Sequence, residues 1–207
     1  MVSAELRWFW PNNPPAALSA WFYDRHTHSS NTAAERRVDR YLRANASLGI
    51  KVRGNADIVE VKGLIERTVL LHVSAAPPWH IEQWCKWHTT GIELRTDSLM
   101  EVSKCRATRI YSVDKATVVE IATESTDMTR TAAPSADRCT VELTEVLIGS
   151  DRLATFAIEC SGTLESSPRH LRTLWQAMLE KRMPTTSLEG ETVSYPAMLQ
   201  KYYTAEE

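Results

Sequence analysis

No stretch of this sequence approaches the length of a membrane span, and no apolar signal core follows a basic start at its N-terminus. Both absences lead to the expectation of a cytoplasmic protein without a membrane partner. Cysteine is sparse. Cys85, Cys105, Cys139 and Cys160 form no CxxC pair, and in a reducing compartment four free, mostly buried thiols are expected. There is no GxxxxGK phosphate loop, no GxGxxG after a strand and no GxSxG elbow, which removes the common nucleotide-binding and serine-hydrolase signatures. An excess of positive charge is also missing. With 24 Lys and Arg against 26 Asp and Glu, the net charge of -2 argues against a nucleic-acid binder, although it leaves room for a local basic cleft. No internal repeat or low-complexity linker divides the chain, so residues 1–207 are expected to form one domain.

What the chain does have is a series of short strand-like segments. The first covers 4–10 and ends at Pro11. A helix from about Pro14 to Tyr23 follows, with proline at its start, where a missing N–H costs nothing. Strands are predicted at 35–44, 49–54 and 57–66, the last two joined by a turn at Gly54-Asn55. Residues 77–101 read as partly helical: Pro77-Pro78 would open a helix carrying Trp79, Gln83, Trp84 and Trp87, and Gly91 would end it. Strands resume at 102–113, 116–124, 139–148 and 153–161. Leu171, Leu174, Trp175, Met178 and Leu179 recur at helical spacing between Pro168 and about Arg182, and a short helix around Pro196 to Tyr203 ends the pattern. About eight strands clustered in sequence, with three or four helices, indicate an antiparallel α+β architecture.

The charges follow the strands. Side chains at i and i+2 share a face of a strand. On this rule Glu5 joins Arg7; Arg37, Asp39, Tyr41 and Arg43 join one another; Lys51 joins Arg53; Glu60 joins Lys62; Lys104 joins Arg106; Glu142 joins Thr144; and Ala157 joins Glu159. The other parity is mostly apolar, as in Leu6 and Trp8, Ile50 and Val52, Val141 and Leu143, and Phe156 and Ile158. An amphipathic sheet with its charged face in water would explain this. Two features favour a closed barrel with the charges inside. Two cations about 6 Å apart repel by roughly 3 kcal/mol at an effective dielectric of 20. On a concave face, like-sign pairs such as Lys51 with Arg53 and Lys104 with Arg106 therefore call for an anionic ligand or facing carboxylates. Eight strands also suffice to close a barrel around a small ligand. The apolar face would then lie outside, covered by the tryptophan-bearing and C-terminal helices.

The order of these motifs resembles the CYTH, or triphosphate tunnel, family over nearly the whole chain. Ser3-Ala4-Glu5-Leu6-Arg7 stands at the position of that family's ExExK strand. Arg37-Val38-Asp39-Arg40-Tyr41-Leu42 resembles its second strand, Ile50-Lys51-Val52-Arg53 its L-R-I-R strand and Val59-Glu60-Val61-Lys62 its L-T-L-K strand. Lys104-Cys105-Arg106 is similar to the K-x-R, and Val141-Glu142-Leu143-Thr144-Glu145-Val146 to the v-E-x-D strand. Phe156-Ala157-Ile158-Glu159 stands where E-x-E is expected, and Ser194-Tyr195-Pro196 at the terminal segment.

The resemblance implies an eight-stranded antiparallel closed β-barrel, a tunnel with flanking helices. It implies a metal-dependent phosphohydrolase acting on a triphosphate-containing small molecule such as inorganic triphosphate, thiamine triphosphate or a nucleotide. Arg7, Lys51, Arg53, Lys62, Lys104 and Arg106 would bind phosphate, with Lys104 and Arg106 in catalytic roles. Glu5, Glu142 and Glu159 would hold Mg²⁺ or Mn²⁺. Arginine suits this work as a planar bidentate donor and lysine as a point charge, while hard divalent cations take carboxylate oxygen. Ser3, Arg7, Thr144 and Ala157 depart from the family's pattern, which depletes the metal half and leaves the basic half nearly complete. One ion rather than two is therefore expected. The alternative is a non-catalytic polyphosphate- or nucleotide-binding module that has lost part of its metal site. Glu145 could turn inward at a bulge, as could Arg109, and Glu120 is a further candidate for the tunnel. Glu35, Arg36, Arg40, Glu101 and Glu124 are expected to meet solvent. His80, Cys85 and His88 on the predicted helix, and His26 with His28, are weighed as metal ligands against a packed helix face and an exposed loop.

Overall fold

The computed structural model describes residues 1–24, 34–53, 58–69, 79–92, 94–95, 98–121 and 138–204. Ten strands and three α-helices are described: β1 (Val2–Pro11), α1 (Ala16–Tyr23), β2 (Ala34–Leu42), β3 (Leu48–Arg53), β4 (Ile58–Val69), β5 (His80–Thr90), β6 (Leu99–Asp114), β7 (Thr117–Ile121), β8 (Arg138–Ile148), β9 (Asp151–Gly162), α2 (Ser166–Glu180), β10 (Glu191–Thr192) and α3 (Tyr195–Thr204). The strands run in the order β10-β1-β5-β4-β3-β2-β6-β8-β9, and β9 pairs again with β1. That last ladder is antiparallel and continuous from Val2↔Gly162 to Pro11↔Leu153. It closes an eight-stranded antiparallel barrel, the form implied by the CYTH resemblance. β7 extends one wall by pairing with β6, and β10 adds a short strand to β1.

One expectation fails here. The segment opening at Trp79 is the strand β5, which joins β1 to β4. Trp79, Gln83, Trp84 and Trp87, at i, i+4, i+5 and i+8, satisfy helical spacing well enough to mislead. A strand in this place is fixed by pairing with neighbours distant in sequence. The expected strand at 116–124, by contrast, is β7 and lies off the barrel. The total of eight barrel strands therefore arises from a different set than expected. On a strand, Cys85 also falls on the face opposite to His80 and His88, and no group of three metal-ligating residues occurs among the described residues. His26, His28 and Glu124 lie outside the described residues.

The outer apolar face is covered on one side. α2 packs on β9 and β1. Trp8 of β1 stacks on Trp175 of α2 with centroids 5.9 Å apart, and Trp79 meets both rings edge-on at 5.3 Å. Leu6, Phe156, Ile158, Leu171, Leu174 and Met178 fill in around them, with Leu18, Trp21 and Phe22 of α1. On the uncovered side Val38, Ile58, Ile65 and Trp87 stay exposed. Cys139 and Cys160 face each other across the β8–β9 ladder and are bonded as a disulfide, so the expectation of four free thiols holds only for Cys85 and Cys105. Direct cross-strand placement brings the two sulfurs together, which cysteine spacing along the chain does not reveal.

A second cluster packs at one end of the barrel. Phe9, Tyr41, Val102, Val146 and Ile148, all of inward parity, meet Tyr195, Met198, Leu199 and Tyr203 of α3. At Gly49 an added Cβ would lie 3.1 Å from the Pro196 ring, so the glycine lets α3 seat tightly on β3. Among the described residues no helix is long and apolar enough to cross a membrane.

Candidate functional site

The barrel register turns the charged parity inward. Glu5 lies opposite Glu159, Thr144 opposite Arg106, Arg37 opposite Lys104, Lys51 opposite Glu60 and Lys62 opposite Lys86. Together these residues line one cavity. Eight cationic side chains reach it: Arg7, Arg37, Lys51, Arg53, Lys62, Lys86, Lys104 and Arg106. Four carboxylates line it as well, Glu5, Glu60, Glu142 and Glu159, with Tyr41 and Tyr195 at the α3 end. All nine site residues expected from the sequence therefore meet in one cavity. Arg37, Lys86, Glu60 and Tyr195 were not among them. The parity of Arg37 and Glu60 already pointed inward, and Tyr195 stood in a recognised segment. Lys86 was hidden by the helical reading of its segment, because inward and outward parity exist only on a strand.

The like-charged pairs are held by facing carboxylates. Asp39, fully buried in the wall, lies 2.9 Å from Lys104 Nζ, 3.4 Å from Lys51 Nζ and 3.3 Å from Arg37 Nε. Glu60 accepts from Lys51 at 3.0 Å and from Arg53 at 2.7 Å. Arg106 bonds Glu35 at 2.6 Å and lies 3.5 Å from Glu142. Glu35, expected in solvent, is thus part of the open rim. Arg7 Nε donates to Glu5 Oε1 at 2.8 Å, and Arg7 Nη2 lies 2.7 Å from Glu142 Oε1. Lys62 Nζ bonds the second oxygen of Glu5, and Lys86 Nζ bonds Glu159.

These contacts shape the proton affinities. Burial opposes ionisation of Glu60 and Glu142, but Lys51 and Arg53 at the first, and Arg7 and Arg106 at the second, bring both down to about 2. Glu5 and Asp39 are held still further below the usual carboxylate range, against burial, by Lys62, Arg7 and Lys86 at Glu5 and by Lys51, Lys104 and Arg37 at Asp39. Lys104 goes the other way. Burial and then the charge of Lys51 push its pKa well below the ordinary lysine value, and Asp39 offsets this only in part.

Three buried polar atoms on residues that line the cavity have no hydrogen-bond partner among the described residues: Arg106 Nε, Thr144 Oγ1 and Tyr195 Oη. Buried polar groups are rarely left this way. Each can donate a hydrogen bond, which suits a ligand rich in anionic oxygen. Other candidates point elsewhere. Arg109 bonds Glu120 at 2.7 Å and the Phe22 carbonyl at 2.8 Å beneath α1, on the outside of the barrel. β8 pairs with both neighbours without a bulge, so Glu145 stays outward and exposed.

Mg²⁺ or Mn²⁺ on Glu5, Glu142 and Glu159 does not fit this donor set as it stands. Every one of the three carboxylates is engaged by a side-chain cation, and Glu5 and Glu142 converge on one guanidinium. Hard cations need carboxylate oxygen that is free to coordinate.

No family model and no curated protein matches the chain. Among solved structures it is similar to the S. pombe Pct1 RNA triphosphatase in complex with the Spt5 CTD, at 9% identity and a TM-score of 0.49, covering 92% of this chain and 86% of that one.

Proposed function

We propose that the tunnel binds the triphosphate chain of a small molecule. The observation that carries this reading is the convergence of eight cationic side chains and three donor atoms without a hydrogen-bond partner on one cavity. A phosphate chain entering from the open mouth meets Arg53 and Arg106 first and Lys51 and Lys104 deeper in. It supplies acceptor oxygens to Arg106, Thr144 and Tyr195. It also exchanges the present carboxylate partners of Lys51, Lys104 and Arg106 for phosphate oxygen, where arginine offers its bidentate fork. Calorimetry with tripolyphosphate tests this. Binding is expected, and Lys104→Ala or Arg106→Ala should weaken it about 10- to 150-fold, the size of a lost charged hydrogen bond of about 1.5–3 kcal/mol. Unchanged affinity in both variants would refute the assignment.

Hydrolysis of the bound triphosphate is the second reading, favoured by the presence of Glu5, Glu142 and Glu159 in the same cavity. It requires these carboxylates to leave their side-chain partners and take a metal, with Lys104 and Arg106 stabilising charge on the transferred phosphoryl group. A phosphate-release assay with tripolyphosphate, thiamine triphosphate and nucleoside triphosphates, with Mg²⁺ or Mn²⁺ added, decides it. Release no greater than from the Lys104→Ala, Arg106→Ala double variant would reject turnover while leaving binding intact.

A further inference from the structure

Arg7 is committed more fully than any other cation of the tunnel. Its Nε holds Glu5 on its own strand at 2.8 Å, its Nη2 lies 2.7 Å from Glu142 on β8, and its Nη1 donates to Thr155 Oγ1 on β9 at 3.2 Å. The guanidinium carbon sits 4.6 Å from the centroid of the Tyr195 ring, which backs it from α3. The side chain is only 6% exposed. The reach from β1 to β8 passes over β9, and the residue crossed is Ala157, paired with Arg7 on one side and with Glu142 on the other. Strands lie about 4.8 Å apart, so this crossing needs an open lane. The methyl group of Ala157 provides it, and a carboxylate there would fill it. Arginine is the side chain suited to joining two carboxylates in one plane.

We infer that the Arg7 guanidinium, set between Glu5 and Glu142 across Ala157, is a built-in cation that stands where a divalent ion would sit, so that this tunnel binds phosphate chains without metal. The inference rests on the triphosphate-binding reading. A divalent ion entering between the two carboxylates would have to expel Arg7 from a buried site and leave it beside a second positive centre. With Arg7 in place the carboxylates are already neutralised, and the remaining cations face the ligand.

Two measurements on the full chain test this. In calorimetry, tripolyphosphate should bind with EDTA at least as tightly as with Mn²⁺ in threefold excess over the ligand, where the ion is held by the polyphosphate itself and lowers its charge. Binding that appears only with Mn²⁺ would overturn the inference and leave the tunnel reading standing, whereas no binding in either buffer would overturn both. In Mn²⁺ titrations followed by electron paramagnetic resonance without phosphate, the native chain should leave the ion free, and Arg7→Gln, which removes the cation shared by both carboxylates and leaves Glu5 with Lys62 and Glu142 with Arg106, should bind it at least tenfold more tightly. Arg7→Lys, which retains a charge but reaches only one carboxylate, should fall between them. Stoichiometric Mn²⁺ binding by the native chain that is abolished in Glu5→Gln would refute the proposal. The native-chain measurements decide the matter even where a variant does not fold, and circular dichroism checks that it does.

Discussion

Lys104 combines features that make it sensitive to what enters the tunnel. Its ammonium group lies 2.9 Å from Asp39 and 2.7 Å from the Tyr41 hydroxyl, over the faces of Tyr41 and Tyr195. Burial and the nearby Lys51 charge depress its pKa well below the usual value. An anionic ligand acts in the opposite direction and raises it. Between the two values the protein takes up a proton as the ligand binds, so affinity should fall as pH rises through that interval. Calorimetry in buffers of different ionisation enthalpy, across pH values below the ordinary lysine range, should show net proton uptake. Lys104→Met should abolish most of it, and uptake of the same size in that variant would assign the proton to another group.

At the scale of elements, α3 is the part whose placement the site depends on most. It brings Tyr195 beneath Arg7 and Lys104 and packs on the inner end. Its approach is set by the short strand β10, which pairs Trp8 with Thr192 and Phe9 with Glu191. Just before β10, Gly190 passes so close to β1 that an added Cβ would lie 2.6 Å from Trp10 Cε2 and 2.7 Å from the Phe9 carbonyl oxygen. Backbone on one side and a packed indole on the other leave no easy relief. Gly190→Ala should therefore destabilise the fold by about 1–3 kcal/mol and also weaken tripolyphosphate binding, because β10 and α3 shift together. Thermal melting and calorimetry on the variant check this. A lower melting temperature with unchanged affinity would separate the strap from the site.

The whole molecule carries its charges inside and much of its apolar surface outside, which makes its stability depend on ion pairs in an unusual place. Glu60 and Glu142 titrate at about 2 in the folded chain against an ordinary value of 4.5, and Glu5 and Asp39 lie lower still. Groups depressed by folding contribute stability above their unfolded pKa, and that contribution is lost as pH falls through the folded pKa. Urea midpoints should therefore hold between pH 7 and 5 and drop steeply from about 4.5 towards 2, by on the order of 2 kcal/mol for each such carboxylate. Because these pairs are buried, moderate salt should do little to blunt the drop. A midpoint independent of pH down to 3 would show that the tunnel pairs do not hold the barrel together.

The sequence alone determined which side chains share a face. A strand alternates with a fixed period of two, so Glu5 with Arg7, Lys51 with Arg53, Lys104 with Arg106 and Glu142 with Thr144 were bound to point the same way once each segment was extended. That period also excluded Arg109 and Glu145 from the charged face wherever no bulge intervened. Only the tertiary structure decided that this face is concave, because closure depends on the β1–β9 ladder between residues some 150 positions apart. It also decided that the Trp79 segment is the strand completing the barrel, since local spacing fits a helix as well and only pairing with β1 and β4 selects the extended form. Pairing across strands settled, too, what each cation faces: Asp39 behind Lys104 and Lys51, and Arg7 reaching over Ala157 to Glu142. These contacts join residues whose chain positions carry no record of one another, so the tunnel's cations were legible in the sequence and their partners were not.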